Sequence, residues 1–364
     1  MILIDGSQGE GGGQIVRTAL ALSALTGQSF KVTGIRANRP TPGLKAQHLH
    51  GVKAAMKLCD GNVEGDVIGS QELTFHPEKL AGRRFEVDIG TAGSITLLLQ
   101  SVLLPAMFAG KSSTITLIGG TNVAWSMPIE YLQEVLVPQL RRYVDKLDVT
   151  LVKRGYYPAG GGKVEVRVKP KWSVSDAKSF DAFLMRLRAE APHLQLTAQH
   201  HLVMVKGISH ASVDLQDARV AERQAQSARH VLRELKCPID IRHEYADTAS
   251  TGSGLTLWAI FSKDEEDIDP SDPVRLGADA LGEKGKRAEQ VGEEAAKRLL
   301  EEIKSGAAVD RHLADNLIPL MGLVCPSEIK TSTITEHSRT NALVVERFLK
   351  TKFQLEASAI RSVC

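Results

Sequence analysis

The sequence predicts an α/β (α+β) chain: three repeated βαβαβ-type units packed together, with a small α/β domain inserted in the third. Two observations lead there. The order strand, helix, strand, loop, helix, strand runs twice in succession and returns near the C-terminus. Between the second and third copies lies a stretch whose elements follow a different order. With 364 residues the chain is long enough for two or three domains.

The first copy opens on a short apolar run, Met1 to Ile4, read as a buried strand. Gly6, Gly9, Gly11, Gly12 and Gly13 then break it, and Gln14 to Leu25 follows as an Ala/Leu-rich helix closed by Gly27. Strand, glycine loop and helix is the geometry that aims backbone N–H groups at an anion. Neither standard motif fits. A Walker loop would need Gly-Lys-Ser/Thr, and Gly12 follows Gly11. A dinucleotide fingerprint would need glycine at Gln14 and an acid about 20 residues on, where Ile35-Arg36-Ala37-Asn38-Arg39 stands. A tight turn packed on its own helix and an anion cradle both remain open. Glu10 is unexpected in a pure phosphate cradle and suits a metal ion or an arginine partner.

Ser29 to Ile35 reads as a strand, Arg36 to Gly43 as a loop, Leu44 to Leu58 as a helix and Gln71 to His76 as a strand. In the second copy Arg84 to Ile89 is a strand, Ile95 to Ala109 a helix and Ser113 to Ile118 a strand. A loop from Gly119 to Asn122, a helix from Pro128 to Lys146 and a strand from Asp148 to Val152 complete it. The third copy has a helix from Ala307 to Met321, a strand from Glu328 to Ile334 and a loop from Thr335 to Asn341. Helix Ala342 to Leu349 and strand Lys352 to Ala357 follow. If the units pack around a common axis, their equivalent loops at Arg36, Thr121 and His337 can converge on one site. The inserted stretch has strands at Leu202–Val205, Ile239–Glu244 and Leu255–Phe261. One helix is marked by Ala221, Ala225, Ala228, Leu232 and Leu235, another by Ala288, Val291, Ala295, Leu299 and Ile303. Its acidic loop, Asp264 to Pro273, reads as solvated surface. The expected division is 1–195 with 307–364 (units at about 1–80 and 81–170, the third completed by 307–364), and 196–306 as the insert.

Composition narrows the function. Hydrophobic content of 43%, charged content of 24% and a net charge of +2 are those of an ordinary globular protein. They exclude the strongly basic footprint of a protein that coats long nucleic acid, but not one that handles an end. The N-terminus shows no signal-peptide pattern, and no apolar run approaches the ~20 residues of a membrane span. Cys59, Cys237, Cys325 and Cys364 are scattered without C-x-x-C spacing. Neither a zinc site nor a disulfide is expected from them, and a cytoplasmic location is the default.

A second glycine-rich stretch, Arg154-Gly155-Tyr156-Tyr157-Pro158-Ala159-Gly160-Gly161-Gly162, follows the last strand of the second copy. A hairpin is its simplest account, although two tyrosines and an arginine beside three glycines exceed the needs of a turn. With this run, the chain resembles the RNA 3′-terminal phosphate cyclase family. The matching stretches are Asp5 to Gln14, Ile35 to Arg39, Pro42-Gly43-Leu44 with Gln47-His48-Leu49, Arg154 to Gly162, and Thr335-Glu336-His337 through Thr340-Asn341. They span nearly the whole chain in order, and the family's three units plus insert agree with the reading above.

The resemblance implies a three-step reaction. A histidine attacks the α-phosphorus of ATP and releases pyrophosphate. AMP passes to an RNA 3′-phosphate end, giving RNA(3′)pp(5′)A. The 2′-hydroxyl then closes a 2′,3′-cyclic phosphate and frees AMP. The family's nucleophile falls on His337; an imidazole is a competent nucleophile near neutral pH. Arg36 and Arg39, with Arg17, match positions near the nucleotide and phosphates, where a polyanionic electrophile calls for cations. Glu10 matches a family glutamate and is the candidate ligand for a divalent ion, Mg or Mn. Gln47 and Gln100 match polar positions lining the site. His312 and Asp315 share a helix face suited to adenosine. Asn316 replaces the family's usual Gln and is one methylene shorter, which puts that residue's nucleotide contact in question. Thr121 and Asn122 suit a loop-closing role as well as a ligand role. Two rival functions stand beside this one: a cyclase-like scaffold for ribosome assembly, whose relatives lack the histidine, and an enolpyruvyl-type transferase, which needs no histidine nucleophile.

Overall fold

A computed structural model describes residues 1–9, 12–264, 269 and 273–364. The described residues form four four-stranded sheets. Three of them repeat one plan. The first unit runs β1 (Ile2–Asp5), α1 (Gly13–Thr26), β2 (Phe30–Thr33), α2 (Ala46–Cys59), β3 (Asn62–Glu64) and β4 (Leu73–His76), with sheet order β1-β2-β4-β3. The second runs β5 (Arg84–Asp88), α3 (Ile95–Met107) and β6 (Ser113–Gly119). It continues through a broken helix of α4 (Ile129–Tyr131), a wide turn (Leu132–Leu136) and α5 (Val137–Leu140), then β7 (Val144–Lys153) and β8 (Gly162–Pro170). Its order is β5-β6-β8-β7.

After α6 (Phe180–Glu190) comes β9 (Gln195–Leu196), which pairs in parallel with β14 (Ser327–Lys330) more than a hundred residues later. Between them lies the fourth sheet: β10 (His201–Ser212), α7 (Val220–Leu232), β11 (Ile239–Ala246), β12 (Ser253–Ser262), β13 (Val274–Leu281) and α8 (Ala288–Lys304). Its order, β11-β10-β12-β13, breaks the repeat. The third unit resumes with α9 (Arg311–Leu323), β14, α10 (Glu336–Phe348), β15 (Lys352–Glu356) and β16 (Ala359–Val363), in the order β9-β14-β16-β15. In each unit the first two strands are parallel and the other pairings antiparallel. The repeat is therefore βαβαββ, one strand more than expected. The fourth strand arrives by a hairpin and inserts beside the second.

Several boundaries moved for local reasons. The segment from Thr335 to Asn341, expected as a loop, is the start of α10: the Thr335 hydroxyl accepts the N–H of Ser338 and caps the helix. The helix expected over 128–146 is interrupted. Pro138 has no N–H to offer the carbonyl of Glu134, and that carbonyl instead accepts from Arg275 Nη1 at 2.7 Å. Most of the acidic loop after Asp264 lies outside the described residues. Cys325 and Cys364 form a disulfide, contrary to expectation. Antiparallel β14 and β16 pair Ser327 with Ser362. Two residues further along each strand the cysteines face one another, with Cα atoms 5.8 Å apart. The strand that creates this register was not legible beforehand, so neither was the bond.

The helices of the three units share a core. α1 packs against α2, α3 and α10; α3 packs against α2 and α9; α9 packs against α10. The fourth sheet lies between α7 and α8 on one side and the broken helix of the second unit on the other, so every residue of β12 is buried. Asp310, fully buried, joins three parts: its carboxylate accepts from Tyr131 Oη at 2.6 Å, from the Gly277 N–H, and from the N–H groups of His312 and Leu313.

Candidate active site where three helices meet

The first helices of the three units, α1, α3 and α9, occupy equivalent places in the repeat, and they bring their side chains to one cleft. Gln14, Thr18 (α1), Thr96, Gln100 (α3), Asp315 and Asn316 (α9) line it, with Asn341 from α10. Its far end is apolar, walled by Leu99, Leu103, Met107, Met127, Leu136 and Pro319. Counting its open mouth, the space between these walls is about 660 Å³. A polar rim over an apolar slot suits a ligand with a flat ring and a hydrogen-bonding remainder.

A chain of hydrogen bonds crosses all three units. Arg17 Nε donates to Gln100 Oε1 at 2.8 Å, and Gln100 Nε2 donates to Asn316 Oδ1 at 2.9 Å. Asn316 Nδ2 closes on the His312 carbonyl at 2.7 Å. The shorter side chain of Asn316 is thus engaged with Gln100. Burial lowers the Arg17 pKa to about 10, which still leaves the guanidinium charged at neutral pH. Gln14, on the same face of α1, has its Oε1 buried with no donor among the described residues, an acceptor available to a ligand.

Asp315 organises the start of α10. Its Oδ1 accepts the hydroxyls of Thr335 and Ser338, each at 2.6 Å, and its backbone carbonyl accepts from Asn341 Nδ2 at 2.7 Å. Asn341 Oδ1 in turn accepts from Thr18 at 2.7 Å, across 323 residues of sequence. Burial raises the Asp315 pKa, while the two hydroxyls, then His337 and His312, oppose that rise. His337 therefore sits, half-buried, in the first turn of a helix whose flanking hydroxyls are tied to one carboxylate. His312 is exposed at the head of α9.

The glycine loop settles beside this helix. Gly9 has φ +58° and no room for a side chain against Thr340 of α10. Gly13 has none against the His48 ring of α2. Gly9 serves close approach between two units and Gly13 close approach between two helices of the first, and they leave the N-terminus of α1 next to the Arg39 guanidinium, whose Nη2 would lie 3.4 Å from a Cβ at Gly12. Arg36, at φ +54°, donates to the carbonyls of Thr41 (2.6 Å) and Gly43 (3.0 Å), and burial with the neighbouring Arg39 charge lowers its pKa. His48 is almost fully buried. Its Nδ1 accepts the Lys45 N–H at 3.0 Å, and burial with Arg17, Arg36 and Lys45 holds its pKa near 3. Gln47 stands in the first turn of α2, its Cβ near Gly93. Glu10 lies outside the described residues. Among those described, no group of three or more His, Cys, Asp or Glu side chains could hold a metal ion.

Thr121 and Asn122 do not reach the cleft. They are buried in a separate network built on the Arg154 run. Arg154 Nη1 contacts Glu130 at 2.5 Å and Asn122 Oδ1 at 3.2 Å, and its Nη2 contacts Glu244 at 2.7 Å. Asn122 Nδ2 bonds Glu130 at 2.7 Å and meets His210 Nε2 at 3.1 Å, while Tyr156 Oη meets His210 Nδ1 at 2.7 Å. The convergence expected of three loops is thus carried mainly by helices. Thr18, Ser338, Asn341 and His48 were not singled out from sequence as site residues. Thr18 falls with Gln14, Arg17 and Ala21 on one helical face, a signal that was there to read.

The geometry meets an independent comparison. A profile of the family described as RNA 3′-terminal phosphate cyclase matches residues 8–355. Relatives called RNA 3′-terminal phosphate cyclase match over nearly the whole chain. The Pyrococcus abyssi protein is 45% identical, covering 98% of this chain and 95% of that one. The Archaeoglobus fulgidus protein is 44% identical, covering 99% of each. The Methanosarcina acetivorans protein is 43% identical, covering 98% and 97%. A match of this extent, on a chain with three like units around one cleft, leads to one conclusion: the chain belongs to the RNA 3′-terminal phosphate cyclase family.

Proposed function

We propose that the protein uses ATP to convert an RNA 3′-phosphate end into a 2′,3′-cyclic phosphate, with His337 as the nucleophile. The observation that carries this reading is the placement of His337 in the first turn of α10. There Asp315, which itself lines the cleft with Asn341 of α10, holds the hydroxyls on either side of His337. The positive dipole end of α10 favours an anion at that position.

The adenosine of ATP fits the cleft, its base in the apolar end and its polar groups toward Asp315, Asn316 and Gln14. The phosphates extend toward the cationic side formed by Arg17, Arg36 and Arg39 and the N-terminus of α1. An imidazole nitrogen of His337 attacks the α-phosphorus, forming a P–N bond as the bond to pyrophosphate breaks. An oxygen of the RNA 3′-phosphate then takes the adenylyl group, breaking that P–N bond and freeing the imidazole. The 2′-hydroxyl attacks the activated 3′-phosphorus, gives up its proton and expels AMP. Throughout, the arginines hold charge that would otherwise oppose the approach of two anions. His48, kept neutral, adds no charge and positions the start of α1. Gln47 and His312 stand at the border of this arrangement. A divalent ion, Mg or Mn, would offset the charge on ATP, with Glu10 its candidate ligand. The function places the protein in the cytoplasm with RNA. The disulfide removes the argument from cysteines for that location, although intracellular disulfides do occur in hyperthermophiles.

The test is transfer of label from ATP marked at the α-phosphate. The wild-type protein, given a divalent metal, should acquire acid-labile, alkali-stable label that His337→Ala lacks. Folded wild-type protein that takes no label would refute the mechanism and favour a scaffold role.

A further inference from the structure

Trp125 stands out on the surface. It is 97% exposed, while Trp172 and Trp258 are 5% and 2% exposed. Its backbone lies in the left-handed region, at φ +58°, which bulky residues seldom adopt and which persists only where the surroundings enforce it. Here they do. The Ile129 N–H donates to the Thr121 carbonyl at 3.1 Å and closes the loop. Ser126 Oγ bonds the Val123 carbonyl at 2.8 Å, and Thr96 Oγ1 bonds the Met127 carbonyl at 2.6 Å. Asn122, at the loop's entry, is gripped by Glu130, Arg154 and His210. The Arg154 run and the inserted sheet thus act together to fix a loop whose tip is an indole in solvent.

That loop borders the cleft: Met127 forms part of its wall, whereas Trp125, two residues away, lies outside it. With the base of ATP inside the apolar end that Met127 walls, the surface outside that wall is open to the other substrate. We propose that Trp125 is a stacking platform for a base near the 3′ end of the RNA, and that the Arg154–Asn122–His210 network is what holds it in place. The inference rests on the cyclase reading above. An aromatic face accepts any base, so the platform would serve RNA ends without regard to sequence.

The probes are a short single-stranded RNA ending in a 3′-phosphate and the same RNA with its two last nucleotides abasic. Trp125→Ala should raise the KM for the normal RNA between about fivefold and a hundredfold, the loss expected for one base–aromatic stack. kcat at saturating RNA should hold, and Trp125→Phe should restore most of the affinity. Against wild type the abasic RNA should lose a similar factor; against Trp125→Ala it should lose nothing more. Because the other two tryptophans are buried, RNA should quench wild-type emission and leave that of Trp125→Phe unchanged. An RNA KM unaltered in Trp125→Ala would overturn the proposal, as would equal quenching by ATP alone, which would assign the ring to adenosine. Absence of AMP label on wild type would instead defeat the cyclase reading, so the two failures are separable.

Discussion

His48 gives the sharpest quantitative test of the electrostatics around α1. Its folded pKa is about 3 because of burial first, and then Arg17, Arg36 and Lys45. In an unfolded chain an imidazole titrates near 6.5. Between those values the unfolded state binds a proton that the folded state refuses, so stability rises with pH across the window and is lost as pH falls below about 6.5. Taking the sample from pH 7.5 to pH 5 should therefore cost about 2 kcal/mol through this one residue. His48→Gln removes the titration. Urea unfolding followed by circular dichroism, at both pH values and for both proteins, isolates the effect. His210, also buried and with its pKa well below the usual value, contributes equally to both proteins and cancels. The wild type should lose about 2 kcal/mol more than the variant over that interval. Parallel losses would show that His48 is not held neutral by its surroundings, and would refute the account of this corner of the site.

Three further outcomes follow from the same structure. Arg154→Met leaves Glu130 buried without its cation and should cost about 3–5 kcal/mol, read as a lower Tm; recovery by adding Glu130→Gln would confirm the cause, and an unchanged Tm would contradict it. The Cys325–Cys364 bond closes a separation of 39 residues, so reduction should destabilise the protein by about 3–4 kcal/mol. Thiol titration of the denatured chain should find only Cys59 and Cys237 before reduction, and four reactive thiols without reductant would disprove the bond. Gln100→Ala interrupts the link from Arg17 to Asn316. It should weaken adenylylation at low ATP by about ten- to a hundredfold, given about 1.5–3 kcal/mol for a hydrogen bond to a charged group, with little change at saturating ATP; an unaffected rate would remove Gln100 from the ATP half of the site.

The repeat was legible because hydrophobic periodicity and glycine punctuation are local signals. The strands at Arg84 and Ser113, and the helices carrying Gln14, Gln100 and Asp315, all appeared close to where they were expected. Within the three units, the strands that went unread were β3 in the first, β8 in the second, and β9 and β16 in the third. β16 is a short strand made by a hairpin at Ala357 (φ +48°), and nothing in its own pattern announces its partner β14. The disulfide depends on that pairing and was missed with it. The start of α10 was read as a loop because its polar residues obscure the periodicity; Thr335 as a cap was the signal that went unused. In the site, Arg17 and Gln100 were named from motif, but that one donates to the other was a matter of how two helices pack.

By itself the sequence determined the repeat, the order of most of its helices and strands, and the family resemblance from which His337 is proposed as the bearer of AMP, since each of these is written in neighbouring residues. Tertiary structure decided which residues meet. It joined Thr18 to Asn341, and Asp315 to Thr335 and Ser338 on either side of His337. It made the Arg154 run, which forms the expected hairpin between β7 and β8, also the clamp of a second loop, and it left Trp125 in water beside the cleft. These relations depend on the packing of units far apart along the chain, and packing is a property of surfaces in contact that no single segment carries.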